Sequence, residues 1–145
     1  MTMNSEYSIA LEPNLAEHER RALLDGLVAF GDRFAPPRRY SPLAVALRDS
    51  SGALHGGLLG STLWDWLQVD VLWVRDSLRR RGLGSQLLHL VEAHALSIGC
   101  RFARLDTFDF EARAFYEHHG YRVYGELPNF PAGHTQFHLR KSLVA

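Results

Sequence analysis

The stretch Arg79-Arg80-Arg81-Gly82-Leu83-Gly84-Ser85 lies between a strand-like run, residues 69–74, and an amphipathic segment, residues 86–98. A strand, a basic turn with glycines and a helix N-terminus form an anion site in that order. The first N–H groups of a helix have no intrahelical partner and carry partial positive charge. Glycine lets the backbone approach a ligand closely, and arginine supplies paired donors for phosphate. The stretch therefore predicts a ligand that carries phosphate.

Two common phosphate loops do not fit this stretch. A Walker A loop requires Gly-x-x-x-x-Gly-Lys-Ser/Thr, and the only lysine of the chain is Lys141. The dinucleotide fingerprint requires a third glycine at position 87, where the chain has Leu87. Residues 79–84 instead fit the pattern Arg/Gln-x-x-Gly-x-Gly/Ala. Taken alone, such a turn could also be a solvated basic loop, so its context decides.

Size and composition limit the function further. The chain has 145 residues, 46% hydrophobic and 22% charged, with a formal net charge of zero. This favours one ordinary globular domain spanning 1–145 and disfavours a nucleic-acid partner, which needs a broadly basic surface. The single cysteine, Cys100, excludes an intrachain disulfide and fits the cytoplasm. We see no signal peptide and no apolar run of the ~20 residues that span a membrane, and we expect no membrane partner.

The hydrophobic periodicity predicts the element order βαβββαβαββ. Strands are expected at 7–11, 43–47, 54–63, 68–74, 101–108, 121–126 and 135–140. Asn14 and Glu17 resemble a capping box before the first helix, and Asp109 is placed to cap a short third helix. This order indicates an α/β (α+β) fold, a mixed sheet with helices on both faces.

A second motif occupies the third predicted helix. The run Ala112-Arg113-Ala114-Phe115-Tyr116-Glu117-His118-His119-Gly120-Tyr121 fits Ala-x-x-Leu/Phe-Tyr-x-x-x-Gly-Phe/Tyr. The arginine–glycine loop lies upstream of this run, with a helix and a strand between them. By these two motifs and their order, the chain resembles the GCN5-related N-acetyltransferase (GNAT) superfamily over essentially its whole length. The resemblance implies a central, mostly antiparallel sheet of about seven strands.

The resemblance also implies an activity. We expect transfer of an acetyl group from acetyl-CoA to a primary amine, on a small molecule rather than a protein, by direct attack in a ternary complex. One alternative is an acyl-CoA-binding or sensing module with little turnover, and another is a nucleotide-phosphate binder. No metal is expected, since the eight histidines form no ligand set. A homodimer is common in folds of this kind.

Carried onto this chain, the family pattern gives a set of acyl-CoA-binding residues. They are Leu72, Trp73, Val74, Arg79, Arg80, Arg81, Gly82, Leu83, Gly84, Ser85, Asp109 and Phe115. Backbone groups of 72–74 would pair with the pantetheine arm. Trp73 itself reads as a core residue. Asp109 stands where many members have Asn, and a helix N-cap is the preferred reading there.

Two side chains are candidates for catalysis. Tyr116 would supply a proton to the departing thiolate, because a phenol is protonated at neutral pH; the alternative is a core tyrosine. Asp70 lies mid-strand among apolar residues, on the same face as Gln68, where an unpaired carboxylate would be costly. It would hold the ammonium or take its proton through a water, or else form a structural ion pair. Trp64, Trp66, Phe110 and Phe130 could wall an acceptor pocket or belong to the core.

Overall fold

The computed structural model describes residues 2–3 and 6–144. Contacts within the chain divide it into two compact units, Met1–Pro37 and Arg38–Ala145. The organisation of 1–145 as one domain stays a prediction. All the sites discussed below belong to the second unit.

The first unit contains a short ladder and a helix. Strand β1, Thr2–Met3, pairs antiparallel with β2, Ser8–Ile9, and helix α1 spans Glu17–Asp32. The strand expected at 7–11 therefore pairs with residues just before it and adds nothing to the main sheet, which has six strands rather than about seven. The capping box expected at Asn14 is wrong. The N-cap residue is Ala16, so Glu17 is the first helical residue instead of the third, and no side chain caps this end.

The second unit is a mixed, mostly antiparallel sheet with two helices. Its strands are β3 Ser41–Arg48, β4 Leu54–Leu63, β5 Trp66–Val74, β6 Phe102–Phe108, β7 Arg122–Pro128 and β8 Thr135–Ser142. A 3₁₀ turn, Asp76–Leu78, precedes α2, Leu83–Ser97, and α3 spans Arg113–His118. The strand order is β3-β4-β5-β6-β8-β7, and only β5 and β6 are parallel. The predicted fold class is confirmed.

One hydrophobic core fixes α2 against the sheet. Leu88, Val91 and Ala95 recur at helical spacing and are buried against inward residues of β4, β5, β6 and β8. Fully burying a side chain such as Leu88 contributes about 1.5–3 kcal/mol. Tyr116 of α3 belongs to the same cluster. The face of the sheet that packs against α2 is called the inner face, and the opposite face is called the outer face.

A β-bulge in β5 changes which residues face the core. Leu59 is paired with Val71 and Gly60 with Val69, which leaves Asp70 as the extra residue. Inward positions therefore change from Leu67 and Val69 to Leu72, which packs against the core. The expectation that Trp73 is a core residue is wrong for this reason, and its side chain is 47% exposed.

Gly60 is required beside this bulge. A Cβ atom at Gly60 would collide with the carbonyl oxygen of Gln68. Gly56 and Gly57 are equally confined by the backbones of β5 and β3. The three glycines of β4 thus mark close backbone approach, one of the two roles that glycine inside a strand predicts.

The two parallel strands separate beyond the bulge. Pairing between β5 and β6 begins at Trp66 with Phe102 and ends at Val69 with Leu105. Both strands continue, β5 to Val74 and β6 to Phe108. The side of β5 that faces β6 therefore has no strand partner over residues 71–74, and a cleft opens between the two strands.

Candidate active site

A cavity of about 950 Å³ occupies this cleft. Its walls are the free half of β5, the loop before α2, the first turn of α2, and α3 with the turn before it. From the predicted set, the lining includes Asp70, Leu72, Trp73, Val74, Arg79, Arg80, Gly82, Leu83, Gly84, Ser85, Phe115 and Tyr116. The structure thus brings together both motifs and the end of the strand. Arg81 and Asp109 are outside the lining.

The loop presents backbone N–H groups at the N-terminus of α2. Gly82 is the N-cap residue, in the left-handed region at φ 76°, and Arg80 is also left-handed at φ 64°. The first intrahelical hydrogen bond runs from Gln86 N to the Gly82 carbonyl, so the N–H groups of residues 83–85 precede the helical ladder. Alternating left-handed residues make a concave nest of N–H groups, a geometry that binds anions.

The three arginines of the loop differ in their surroundings. Arg79 Nε donates to the carbonyl of Val74 at 3.0 Å, and its Nη2 lies 3.1 Å from Asp76. This side chain therefore fastens the loop to the end of β5. Arg80 lines the cavity and, among the described residues, has no carboxylate within ion-pair distance. Arg80 is the loop guanidinium that is available to an anion in the cavity.

Tyr116 lies at the base of the cavity and is 7% exposed. Its hydroxyl has no hydrogen-bond partner within the described part of the chain. Burial, with a smaller effect from the nearby Glu111 carboxylate, raises the pKa of Tyr116 to about 12. The phenol is therefore protonated over the whole neutral range and can donate a hydrogen bond to a ligand.

Asp70 occupies the bulge at the rim of the same cavity. Its side chain is exposed, and Oδ1 accepts a hydrogen bond from Gln68 Nε2 at 3.1 Å. The expected shared face with Gln68 is present, but the expected burial among apolar side chains is wrong. The bulge and the separation of the strands expose the carboxylate to solvent.

Asp109 is bonded to the start of β8, and its expected contact with acyl-CoA stays a prediction. Its two carboxylate oxygens contact His134 Nδ1 at 2.9 Å and the Thr135 N–H at 3.1 Å. Helix α3 begins later, after Ala112, and no side chain caps it. The N-cap prediction is wrong because the intervening turn is closed by Thr107, whose Oγ1 accepts from Ala112 N at 3.4 Å.

Contacts between α3 and α2 hold the loop in place. Phe115 lies beneath Gly84, with ring atoms 3.6 and 3.7 Å from where a Cβ would be. Ser85 Oγ is 2.8 Å from His119 Nε2. Partial burial, followed by the charges of His89 and His118, lowers the pKa of His119. At neutral pH this favours the uncharged ring in contact with Ser85.

Several residues of the cavity escaped the sequence reasoning. They are Val69, Val71, Leu78, Asp106, Glu111 and Ala112. No sequence signal marked Asp106, because it occupies an ordinary polar position of an alternating strand, and it lines the cavity beyond the point where β5 and β6 are paired. Its carboxylate is 2.6 Å from His138 Nδ1. Of the four aromatic candidates, Phe110 lines this cavity and Phe130 stacks on Phe108, 6.1 Å between centroids.

Trp64 and Trp66 line a second cavity, of about 460 Å³. Within residues 2–3 and 6–144, no group of three or more His, Cys, Asp or Glu side chains is arranged to hold a metal ion. None of the described helices is long and apolar enough to cross a membrane.

Comparison with known proteins gives consistent similarities. Residues 5–121 match the family model described as the acetyltransferase (GNAT) family. The chain is 44% identical over 93 residues to blasticidin-S acetyltransferase of Streptomyces morookaense, covering 63% of this chain and 68% of that protein. It is 33% identical over 127 residues to an acetyltransferase of Agrobacterium fabrum, covering 87% and 91%. A crystal structure of an acetyltransferase from Bacillus cereus superposes with a TM-score of 0.84 at 32% identity, covering 92% and 97%.

Proposed function

The chain belongs to the acetyltransferase (GNAT) family, and on that premise we propose that it transfers the acetyl group of acetyl-CoA to a primary amine of a small molecule. Transfer is direct, in a complex that holds both substrates. The observation that carries the proposal is one cavity in which the free edge of β5, the N–H nest before α2 and the Tyr116 hydroxyl all face the same space. A homodimer and a cytoplasmic location stay predictions.

The cavity has the donors that acyl-CoA requires. The N–H groups of 82–85 and the Arg80 guanidinium suit a pyrophosphate, which needs several donors on one concave surface. The unpaired edge of β5 at 72–74 suits the amide groups of pantetheine, which can add to it as another strand would. Arg79 contributes by holding the loop, since its own donors are engaged with Val74 and Asp76.

Acetyl-CoA supplies an acetyl thioester that an amine can attack. The amine nitrogen forms the amide bond as the carbon–sulfur bond breaks, so one proton must leave nitrogen and negative charge appears on sulfur. Asp70 at the rim attracts the ammonium and accepts its proton through a water. Tyr116 stabilises the sulfur by a hydrogen bond. Full proton transfer to a thiolate is unfavourable, because a thiol has a pKa of about 8.5 and the pKa of Tyr116 is about 12.

The proposal is tested by following free thiol released from acetyl-CoA in the presence of primary amines. Blasticidin S belongs in the first panel, because the relative that is 44% identical carries it in its name. Acceptor-dependent release of thiol is the expected result. Tight CoA binding with no accepted amine would support the acyl-CoA-binding alternative, and absence of CoA binding would contradict both functions.

A glycine pair provides a matched control for the loop. Gly82→Asp places a negative side chain at a left-handed position in the nest and is expected to abolish CoA binding by calorimetry. Gly52→Asp makes the same change at φ 88° in the turn between β3 and β4, and nothing lies within 4 Å of either added Cβ. Equal CoA affinity of the two variants would refute the assignment of the loop.

Asp70→Asn tests the role of the carboxylate. The variant keeps its CoA affinity, because the backbone of 72–74 and not this side chain contacts the pantetheine arm in the proposed complex. Its rate is expected to fall at neutral pH and to recover partly toward pH ~10, where more of a lysine-like amine is already uncharged. A rate unchanged at every pH would assign proton removal to another group, and Asp106 and Glu111 are the other carboxylates that line the cavity.

A further inference from the structure

The second cavity lies on the outer face of the sheet, opposite α2. It is lined by residues from β4 to β8 and by the segment before β3, and its volume of about 460 Å³ suits a small molecule. Two kinds of side chain dominate the lining. Aromatic rings come from Tyr40, Trp64, Trp66 and Tyr124, and guanidinium groups from Arg38, Arg104 and Arg140.

The arginines are arranged in a row across the strands. Arg104 of β6 is the direct pairing partner of Arg140 of β8, and Arg140 is also paired with Arg122 of β7. Their neighbours Ala103, Leu105 and Leu139 are buried in the core, so the arginines point outward together. Like charges directly opposite each other on adjacent strands destabilise a sheet. An arrangement that costs stability suggests an anion that binds between them.

In the part of the chain that the structure describes, no carboxylate lies close enough to neutralise these charges. Within the described residues, neither Arg38 nor Arg104 nor Arg140 has an Asp or Glu oxygen within 4.0 Å. Two of the three contact aromatic rings instead. Arg38 lies 5.3 Å from the centroid of Trp64 and Arg140 lies 5.8 Å from that of Tyr124. A guanidinium stacked on a ring keeps its N–H edge available to bind an oxyanion.

A neighbouring ring fixes the orientation of Trp66 in this cavity. Trp66 is stacked on Phe102 with 4.9 Å between centroids and 29° between planes. It stands on the same outward side of β5 as Gln68, two residues away. A ligand that carries a planar ring can therefore lie against Trp66 while its charged group reaches the arginines.

Gln68 connects this cavity to the proposed site of transfer. It lines the second cavity, pairs with Arg104 across β5 and β6, and donates to Asp70, which lines the first cavity. Asp70 lies two residues beyond Gln68, and Arg104 lies one strand away. Regular strand spacing puts the Gln68 and Arg104 Cα atoms roughly 5 Å apart. The Gln68 side chain reaches Asp70 by its hydrogen bond, so the Asp70 carboxylate and the Arg104 side chain both lie close to Gln68. One small molecule can contact both side chains.

We propose, resting on the proposed function, that the outer-face cavity binds the amine acceptor, and that this acceptor is zwitterionic and aromatic. Its ammonium faces Asp70, its planar ring lies against Trp66, and its oxyanion is bound by Arg104 and Arg140. The oxyanion is a carboxylate or a phosphate-type group, because a guanidinium binds either by the same paired donors.

Matched compounds test the charge requirement. Thiol release is measured with 4-(aminomethyl)benzoate, with its neutral amide 4-(aminomethyl)benzamide, and with 4-(aminomethyl)phenylphosphonate, all of which carry the same ring and amine. The benzoate or the phosphonate is expected to have a KM at least about 10-fold below that of the amide, the size of effect typical of a charge-assisted hydrogen bond. The preferred anion identifies the class of oxyanion. Equal KM values for all three compounds would overturn the proposal.

Arginine variants locate the effect. Arg104→Gln and Arg140→Gln should raise KM for the preferred anionic compound about 10-fold or more and leave KM for the benzamide within about 2-fold. Arg122→Gln removes the same charge from the same row but outside the cavity lining, and it should change neither value appreciably. An equal effect of all three variants would mean that the arginines act through the positive electrostatic potential of the whole row and not through a binding site.

A direct binding measurement separates the two proposals. Calorimetry with 4-(aminomethyl)benzoate and the phosphonate reports on the cavity without any acetyl transfer, and calorimetry with CoA reports on the cleft. CoA binding that persists while neither anionic compound binds, even to CoA-saturated protein, overturns this inference alone. If the unaltered protein does not bind CoA, the proposed function is overturned instead.

Discussion

At the scale of single residues, burial assigns different tasks to Tyr116 and Asp70. Tyr116 is 7% exposed and belongs to the core as well as to the cavity lining, and its catalytic role stays a prediction. Asp70 is exposed at the rim. A buried phenol that stays protonated is suited to donate, and an exposed carboxylate is suited to accept. The residue types could be read from the sequence, but the surroundings of Asp70 depend on the bulge in β5.

The first prediction concerns Tyr116→Phe. The variant should lose about 10²-fold or more in kcat and keep its CoA affinity within a few-fold, because the hydroxyl acts on charge that develops on sulfur. Burial raises the pKa of Tyr116 to about 12, so the folded protein keeps the phenol protonated below that pH. The ratio of wild-type to variant kcat should therefore be constant from pH 7 to 9. A rate equal to that of the unaltered protein would make Tyr116 structural.

The second prediction separates Arg79 from Arg80. Arg80→Gln should weaken CoA binding without loss of thermal stability, since Arg80 is exposed and lines the cavity. The difference in CoA affinity between this variant and the unaltered protein should decrease as salt is added, because exposed charges are screened. Arg79→Gln should lower stability as well as affinity, since it removes the bonds to Val74 and Asp76. Identical profiles in calorimetry and thermal unfolding would contradict this division.

At the scale of elements, the sheet was predictable and its irregularity was not. Strands 54–63 and 68–74 were found from alternation and apolar content, and β4 and β5 span Leu54–Leu63 and Trp66–Val74. The bulge at Asp70 leaves no sign in that pattern, because an extra residue in a run of apolar side chains looks like one more strand position. The assignment of Trp73 to the core failed on this point. Gly60 was the available clue, since glycine inside a strand marks a bulge or a close backbone approach.

The third prediction is therefore about Gly60. Gly60→Ala forces a Cβ against the Gln68 carbonyl, and we expect a loss of about 1–3 kcal/mol in the free energy of unfolding, measured with urea. Gly26→Ala is the control, because nothing lies within 4 Å of the added Cβ in helix α1. That change should be neutral or stabilising by up to about 1 kcal/mol. Equal stabilities of the two variants would show that β4 and β5 can separate freely.

At the scale of the whole molecule, contacts between distant segments complete what local patterns began. Glu92 stands on α2 and is buried, although the apolar stripe of that helix gave no reason to expect it inward. Its partners are Tyr121, whose hydroxyl donates at 2.6 Å, and Lys141, whose Nζ donates at 2.9 Å. Burial, followed by the Glu92 carboxylate, raises the pKa of Tyr121, which keeps its proton for this bond. Partners so far apart in sequence cannot be inferred from one chain.

The fourth prediction tests this cluster. Lys141→Met leaves the Glu92 carboxylate buried with one hydrogen bond, and the free energy of unfolding should fall by about 1–3 kcal/mol. Adding Glu92→Gln removes the unpaired charge and should restore part of the loss. Denaturant unfolding of the single variants and the double variant gives the coupling energy. Strictly additive losses would mean that the two side chains do not interact.

The same ion pair has a consequence for self-modification. Lys141 is the only lysine of the chain, its ammonium is bonded to Glu92, and 22% of its side chain is exposed. An amine that is held against a carboxylate and mostly shielded from solvent is poorly placed to reach a thioester. If the protein uses acetyl-CoA as proposed, it thus offers that reagent no freely exposed lysine of its own. Acetyl label recovered after a reaction would then report the added acceptor, with little background from acetylated lysine on the protein.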